Sequence, residues 1–140
     1  MKLYQMKLRN SPNCSFCPCE DTAIHKFYLC LKIQKAIKLV KNILEYVSNM
    51  KFQNIEKMLY IEIPNIQNKT KNSMIIIISN FISCTWLNRD NLEYMEEKIV
   101  SKIWKEKEFL LTTLKDKSKE IFCSRYYEMD IRKLNSLYGN

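Results

Sequence analysis

From Ile33 to Val47 the apolar residues Ile33, Ala36, Ile37, Val40, Ile43, Leu44 and Val47 recur at intervals of three and four, the period of a helix with one buried face. At about 100° per residue they share one arc, while Lys32, Lys35, Lys38, Lys41 and Glu45 fall on the opposite one. Two longer helices are predicted downstream. Asn72 or Ser73 stands where an N-cap is expected, ahead of a helix to about Asn88 with Met74, Ile77, Ile78, Phe81, Ile82 and Thr85 on one face. Ile75, Ile76 and Trp86 widen that face and predict a largely buried helix. Asp90 and Glu93 have the spacing of a capping box and predict the start of the next helix. Leu92, Met95, Ile99, Ile103 and Leu110 line its apolar side, and Glu93, Glu97, Lys98, Lys102 and Lys105 its solvated side. The pattern runs on through Leu111, Leu114, Ile121 and Phe122 into a tyrosine-rich end.

The rest of the chain is less periodic. Residues 1–13 read as a basic N-terminal arm with a weak alternation of Leu3, Met6 and Leu8. A cysteine-rich motif occupies 14–31, in which Asp21 or Thr22 can cap a helix from Ala23 to about Leu31. Residues 32–63 hold the lysine-bearing helix and a short extended segment at Leu59 to Ile63. A polar linker over 64–72, opening at Pro64, is the best break in the chain, and 73–140 is the long-helix region. With the preceding helix it should form one compact body. No internal repeat of 20 to 50 residues is present.

Composition narrows the fold class. A chain of 140 residues, 46% hydrophobic, can bury one core and a small metal-stabilised appendage, but hardly two full domains. One glycine and three prolines are too few for the tight turns of a many-stranded sandwich or barrel. The expected architecture is mainly α, with a small zinc knuckle leading into a helical bundle. The run from Met74 is interrupted by Ser79, Asn80 and Ser83 and is too short to span a bilayer comfortably. No basic-then-apolar secretory leader is visible, so the expectation is an intracellular chain, nuclear or cytoplasmic, without a membrane partner.

A net charge of +8 and a pI near 9.2 suit a polyanionic partner, because ammonium groups near phosphates release condensed counterions. Only Arg9, Arg89, Arg125 and Arg132 supply guanidinium groups. Attraction to a phosphate backbone is therefore expected over base-specific reading of a duplex.

The candidate chemistry lies in "CSFCPCEDTAIHKFYLC", which holds four of the chain's six cysteines and its single histidine. The spacing Cys14-x2-Cys17-x7-His25-x4-Cys30 supplies three thiolates and an imidazole, a set that closes a tetrahedral structural zinc site with no open position. Cys19 can replace Cys17 as second ligand only with less usual spacings. His25 and Cys30 would stand roughly 140° apart on an ideal helix, so the helix should end or distort near Cys30. Cys84 and Cys123 fall within apolar patterns and read as core thiols. A catalytic zinc would need an open position and a nearby acid or base, whereas Glu20 and Asp21 sit where helix caps are expected. A dithiol redox reading of Cys14-x2-Cys17 lacks the preceding strand and flanking residues of thioredoxin-like sites.

The same run resembles the zinc-binding segment that follows the reverse transcriptase domain of non-LTR retrotransposon proteins, with Asp21-Thr22 before His25 and Phe27 before Cys30. "FISCTWLNRDNLEY" is similar to an apolar helix with a Trp-x-x-Arg-Asn/Asp ending downstream in those proteins, carried here by Trp86, Arg89 and Asp90. The tryptophan that commonly follows the last cysteine of the motif is replaced by the Ala36-Ile37 region. No Tyr-x-Asp-Asp element, endonuclease constellation or glycine-rich phosphate loop is present, so the resemblance implies an accessory portion and not an enzyme.

What it implies is a zinc-stabilised module for RNA or single-stranded DNA, with a reverse transcriptase domain or another protein as a further partner. Arg9, Lys26, Lys32, Lys35, Lys38 and Lys41 are the candidate phosphate contacts, and Phe16 is a candidate for stacking on unpaired bases. The competing expectation is a helical structural or protein-interaction module in which zinc only replaces missing core.

Overall fold

The structure, a computed structural model, describes residues 14, 17, 20, 30–52 and 66–138. The N-terminal arm, nearly all of the helix expected over 23–31 and the extended segment at 59–63 lie outside the described residues.

A 3-10 turn at Leu31–Ile33 feeds helix α1, Gln34–Ser48. The whole predicted apolar arc of α1 is buried, and Leu39 joins it. Lys32, Lys35 and Lys38 are exposed, whereas Lys41 and Glu45 are half-buried. The helix stops at Asn49, whose φ of 56° lies in the left-handed region that asparagine tolerates better than most residues. Glu45 Oε2 then accepts a hydrogen bond of 2.8 Å from the Phe52 amide, which holds the departing chain against α1.

Helix α2 spans Asn68–Leu87 and so begins before the predicted Asn72 or Ser73 cap. Its first turn is polar and faces outward, which hides it from an apolar periodicity. Ser73 is not a cap at all. Its hydroxyl donates to the Lys69 carbonyl at 2.8 Å and accepts from the Cys123 amide at 3.1 Å, a buried bridge from α2 to the C-terminal region. Met74, Ile77, Ile78, Phe81 and Thr85 are buried as expected, with Ser73, Asn80 and Cys84 beside them. Ile75 and Ile82 are exposed, so the widened apolar face is only partly covered.

Helix α3 runs Met95–Leu114. Asp90 and Glu93 do not cap it; Asn91 Oδ1 accepts from the Glu93 amide at 3.3 Å in a turn, and the helix opens after Tyr94 at φ 57°. Leu92, Met95, Ile99 and Ile103 are buried as predicted, and Val100 and Lys107 join them. The apolar continuation past Leu114 is not one helix. Lys115, at φ 51°, breaks it into a 3-10 turn at Lys115–Lys117 and the short helices α4 Ser118–Ile121, α5 Ser124–Tyr127 and α6 Ile131–Ser136. Asp130 caps α6 by accepting from the Lys133 amide at 2.8 Å.

Helices α1, α2 and α3 pack pairwise on one another; α5 closes on α1, α4 on α2 and α3, and α6 on α3. Tyr126, with no exposed surface, tilts against Phe122 at 4.9 Å between ring centroids and completes the core. Cys14, Cys17 and Cys30 belong to that same buried cluster. The fold is mainly α, a cysteine cluster leading into a helical bundle, with no β-strand among the described residues. No helix among them is long and apolar enough to cross a membrane.

Candidate metal centre

Cys30 is positioned by the start of the 3-10 turn. Its backbone is extended, at φ −61° and ψ 130°, immediately ahead of that turn. Its carbonyl accepts from the Ile33 amide at 3.1 Å and from Gln34 Nε2 at 3.1 Å, which ties its position to the head of α1. The side chain is fully buried.

Cys30 Sγ lies 3.8 Å from Cys14 Sγ and 3.8 Å from Cys17 Sγ, and the three sulfurs all fall within 4.8 Å of one another. These are separations of free thiols, far beyond the roughly 2.05 Å of a disulfide. Burial pushes the Cys30 thiol up to about 12, the Lys32 backbone amide draws it partly back, and the thiols of Cys14 and Cys17 add to the rise. The Cys30 thiol in so dry a place stays protonated unless a cation replaces its proton. Cys14, Cys17 and Cys30 together can hold a metal ion.

Of the predicted ligand set the structure therefore brings together Cys14, Cys17 and Cys30. His25 and the competing thiol Cys19 lie outside the described residues, as do Arg9, Phe16 and Lys26. Cys84 and Cys123 sit elsewhere in the helix packing, where Cys123 Sγ contacts the Val47 carbonyl at 3.7 Å and Cys84 Sγ lies 3.8 Å from Asn88 Nδ2.

The lysine row begins at Lys32 in the 3-10 turn, two residues beyond Cys30, and continues along α1. Lys35 and Lys38, with Leu39, Glu96 and Tyr138, line a cleft of about 350 Å³, so the carboxylate of Glu96 offsets part of their charge. The Trp86-x-x-Arg89 element closes α2: the Arg89 guanidinium lies 4.6 Å from the centre of the Trp86 ring, and its Nη1 donates to the Trp86 carbonyl at 2.9 Å.

A larger groove of about 650 Å³ lies between α2 and α3, walled by Lys98, Lys102 and Lys105. The spacing of those lysines was visible, but a charged helix side is ordinarily a solvated one, and only the α2 contact shows that it borders a cleft. No family model matches the chain, and no curated protein or solved structure is significantly similar to it.

Proposed function

We propose that this chain is a zinc-stabilised module that binds RNA or single-stranded DNA, of the kind found after the reverse transcriptase domain of non-LTR retrotransposon proteins, and that it carries no catalytic residues of its own. The observation that carries this reading is the convergence of Cys14, Cys17 and Cys30 at sulfur separations of 3.8 Å. A tetrahedron with zinc–sulfur arms of about 2.3 Å has an edge of about 3.8 Å. An all-thiol set in a buried position suits a soft-accepting ion such as zinc over magnesium or calcium, which take oxygen ligands.

Cys14, Cys17 and Cys30 would hold the ion, and His25 is the proposed fourth ligand from its spacing. A bound zinc would supply cross-linking and no chemistry, since four protein ligands leave no position for water. The cross-link ties the cysteine-rich segment to the 3-10 turn and the head of α1, along which the outward row Lys32, Lys35 and Lys38 is exposed and leads to half-buried Lys41. That row is the proposed phosphate contact. Phe16, Arg9 and Lys26 remain part of the proposal on sequence grounds.

The apolar residues Ile75 and Ile82 on the outer side of α2 favour the second reading, a helical module whose partner is another protein. Fluorescence anisotropy with labelled RNA separates the two. The nucleic-acid reading predicts binding at about 50 mM salt that weakens steeply as salt rises and is largely lost when Lys32, Lys35, Lys38 and Lys41 are replaced by glutamine. Absence of binding at that salt contradicts it and leaves the protein-partner reading.

A further inference from the structure

We propose that the groove between α2 and α3 is a second backbone-binding surface, which takes the phosphates of a single-stranded nucleic acid along Lys98, Lys102 and Lys105. This rests on the nucleic-acid reading above and assigns it a surface remote in sequence from the cysteine cluster.

The floor and rim come from the end of α2, with Cys84, Leu87 and Asn88, and the wall from α3, with Lys98, Ser101, Lys102 and Lys105. The lysines stand at i, i+4 and i+7, so their stems rise in one row, roughly 6 Å and then roughly 4.5 Å apart along the axis. Lys98 and Lys102 are half-buried, and their charges draw the Cys84 thiol down against the larger effect of its burial. Lys98 Nζ also donates to the Asn91 carbonyl at 3.4 Å, which holds it at one end of the row.

Two carboxylates also line the groove, Glu97 next to Lys98 and Glu106 next to Lys105. Glu97 accepts a 2.7 Å hydrogen bond from the Tyr138 hydroxyl, and Glu106 lies beyond Lys102 along α3. Exposed Leu87 at the rim offers an apolar surface to an unpaired base. Among the described residues the groove's cations are all lysines, a composition that tracks a backbone without reading bases. Tyr138 also lines the cleft of Lys35 and Lys38, so the two lysine rows are neighbours and one strand can engage both.

The test uses the full metal-loaded chain and a fluorescein-labelled polyuridine RNA of about 20 nucleotides, titrated at several salt concentrations. Changing Lys98, Lys102 and Lys105 together to glutamine is expected to weaken binding at least tenfold and to reduce the slope of log affinity against log salt by roughly 2. The matching triple arginine variant, which keeps the charge, is expected to bind as wild type does. Wild-type affinity and slope in the glutamine variant, alongside weakened binding when the α1 lysines are changed, would overturn the groove and leave the broader reading intact. Arginine and glutamine variants equally weak would overturn it too, because the loss would then come from packing. No binding by the wild type at about 50 mM salt defeats both readings together.

Discussion

The sulfur atoms of Cys14 and Cys30 meet at 3.8 Å although sixteen positions separate the residues in the chain. Cys30 touches both other thiols and is the one that joins them to α1. Cys30→Ser should therefore lower the melting temperature of the metal-loaded chain to that of the wild type treated with chelator, and chelator should have no further effect on the variant. Circular dichroism melts check this. A variant that still responds to chelator as wild type does would show that the ion is held elsewhere.

The exposure pattern of α2 gives a stability contrast. Phe81 has no exposed surface and Ile82, next to it, is 41% exposed. Phe81→Ala should cost about 3–5 kcal/mol, by lost burial and the cavity left behind, whereas Ile82→Ala should stay within about 0.5 kcal/mol. Urea unfolding measures both; equal losses would mean that the outer face of α2 is covered.

Ser73 serves the Cys123 amide from the second turn of α2. Ser73→Ala removes that acceptor and should cost about 1–3 kcal/mol in the same assay, the usual penalty for leaving a buried donor unmet. A loss below about 0.5 kcal/mol would show that water reaches the amide.

The hydrogen bond from the Tyr138 hydroxyl to Glu97 Oε1 carries a pH signature. It holds the Glu97 carboxyl below its usual value, and it is the main cause that pushes Tyr138 up to about 12, with burial and the charges of Glu96 and Glu97 adding to it. Glu97's contribution is complete above the ordinary carboxylate pKa and is lost as pH falls through the lowered folded value. Tyr138's contribution is complete below the ordinary tyrosine pKa near 10 and is lost as pH rises toward about 12. Tyr138→Phe should raise the Glu97 titration toward the ordinary carboxylate value, followed by carboxyl NMR shifts. An unchanged Glu97 in that variant contradicts the assignment.

Much of the helical layout was legible because α1 alternates cleanly: from Ile33 to Val47 the periodic apolar residues are the buried ones. Helix α2 was harder, since Ile75 to Ile78 is apolar all round and leaves the phase of the buried arc undefined, which is how Ile82 was misplaced. Lys107 belongs to no apolar pattern in the sequence. Its stem is buried and its Nζ donates to the Met129 carbonyl beneath the Trp104 ring, a partner supplied by a turn far along the chain that no local pattern announces. At the candidate centre, spacing pointed to Cys14, Cys17 and Cys30 because ligand chemistry is local in sequence. The groove of Lys98, Lys102 and Lys105 was hidden because its other wall belongs to α2.

The most direct measurement is the metal content of the intact chain by native mass spectrometry. The account predicts one zinc per chain, retained by Cys84→Ser and Cys19→Ser and lost from Cys30→Ser and His25→Ala. A metal-free wild type, or a Cys30→Ser variant that keeps its zinc, would contradict the account.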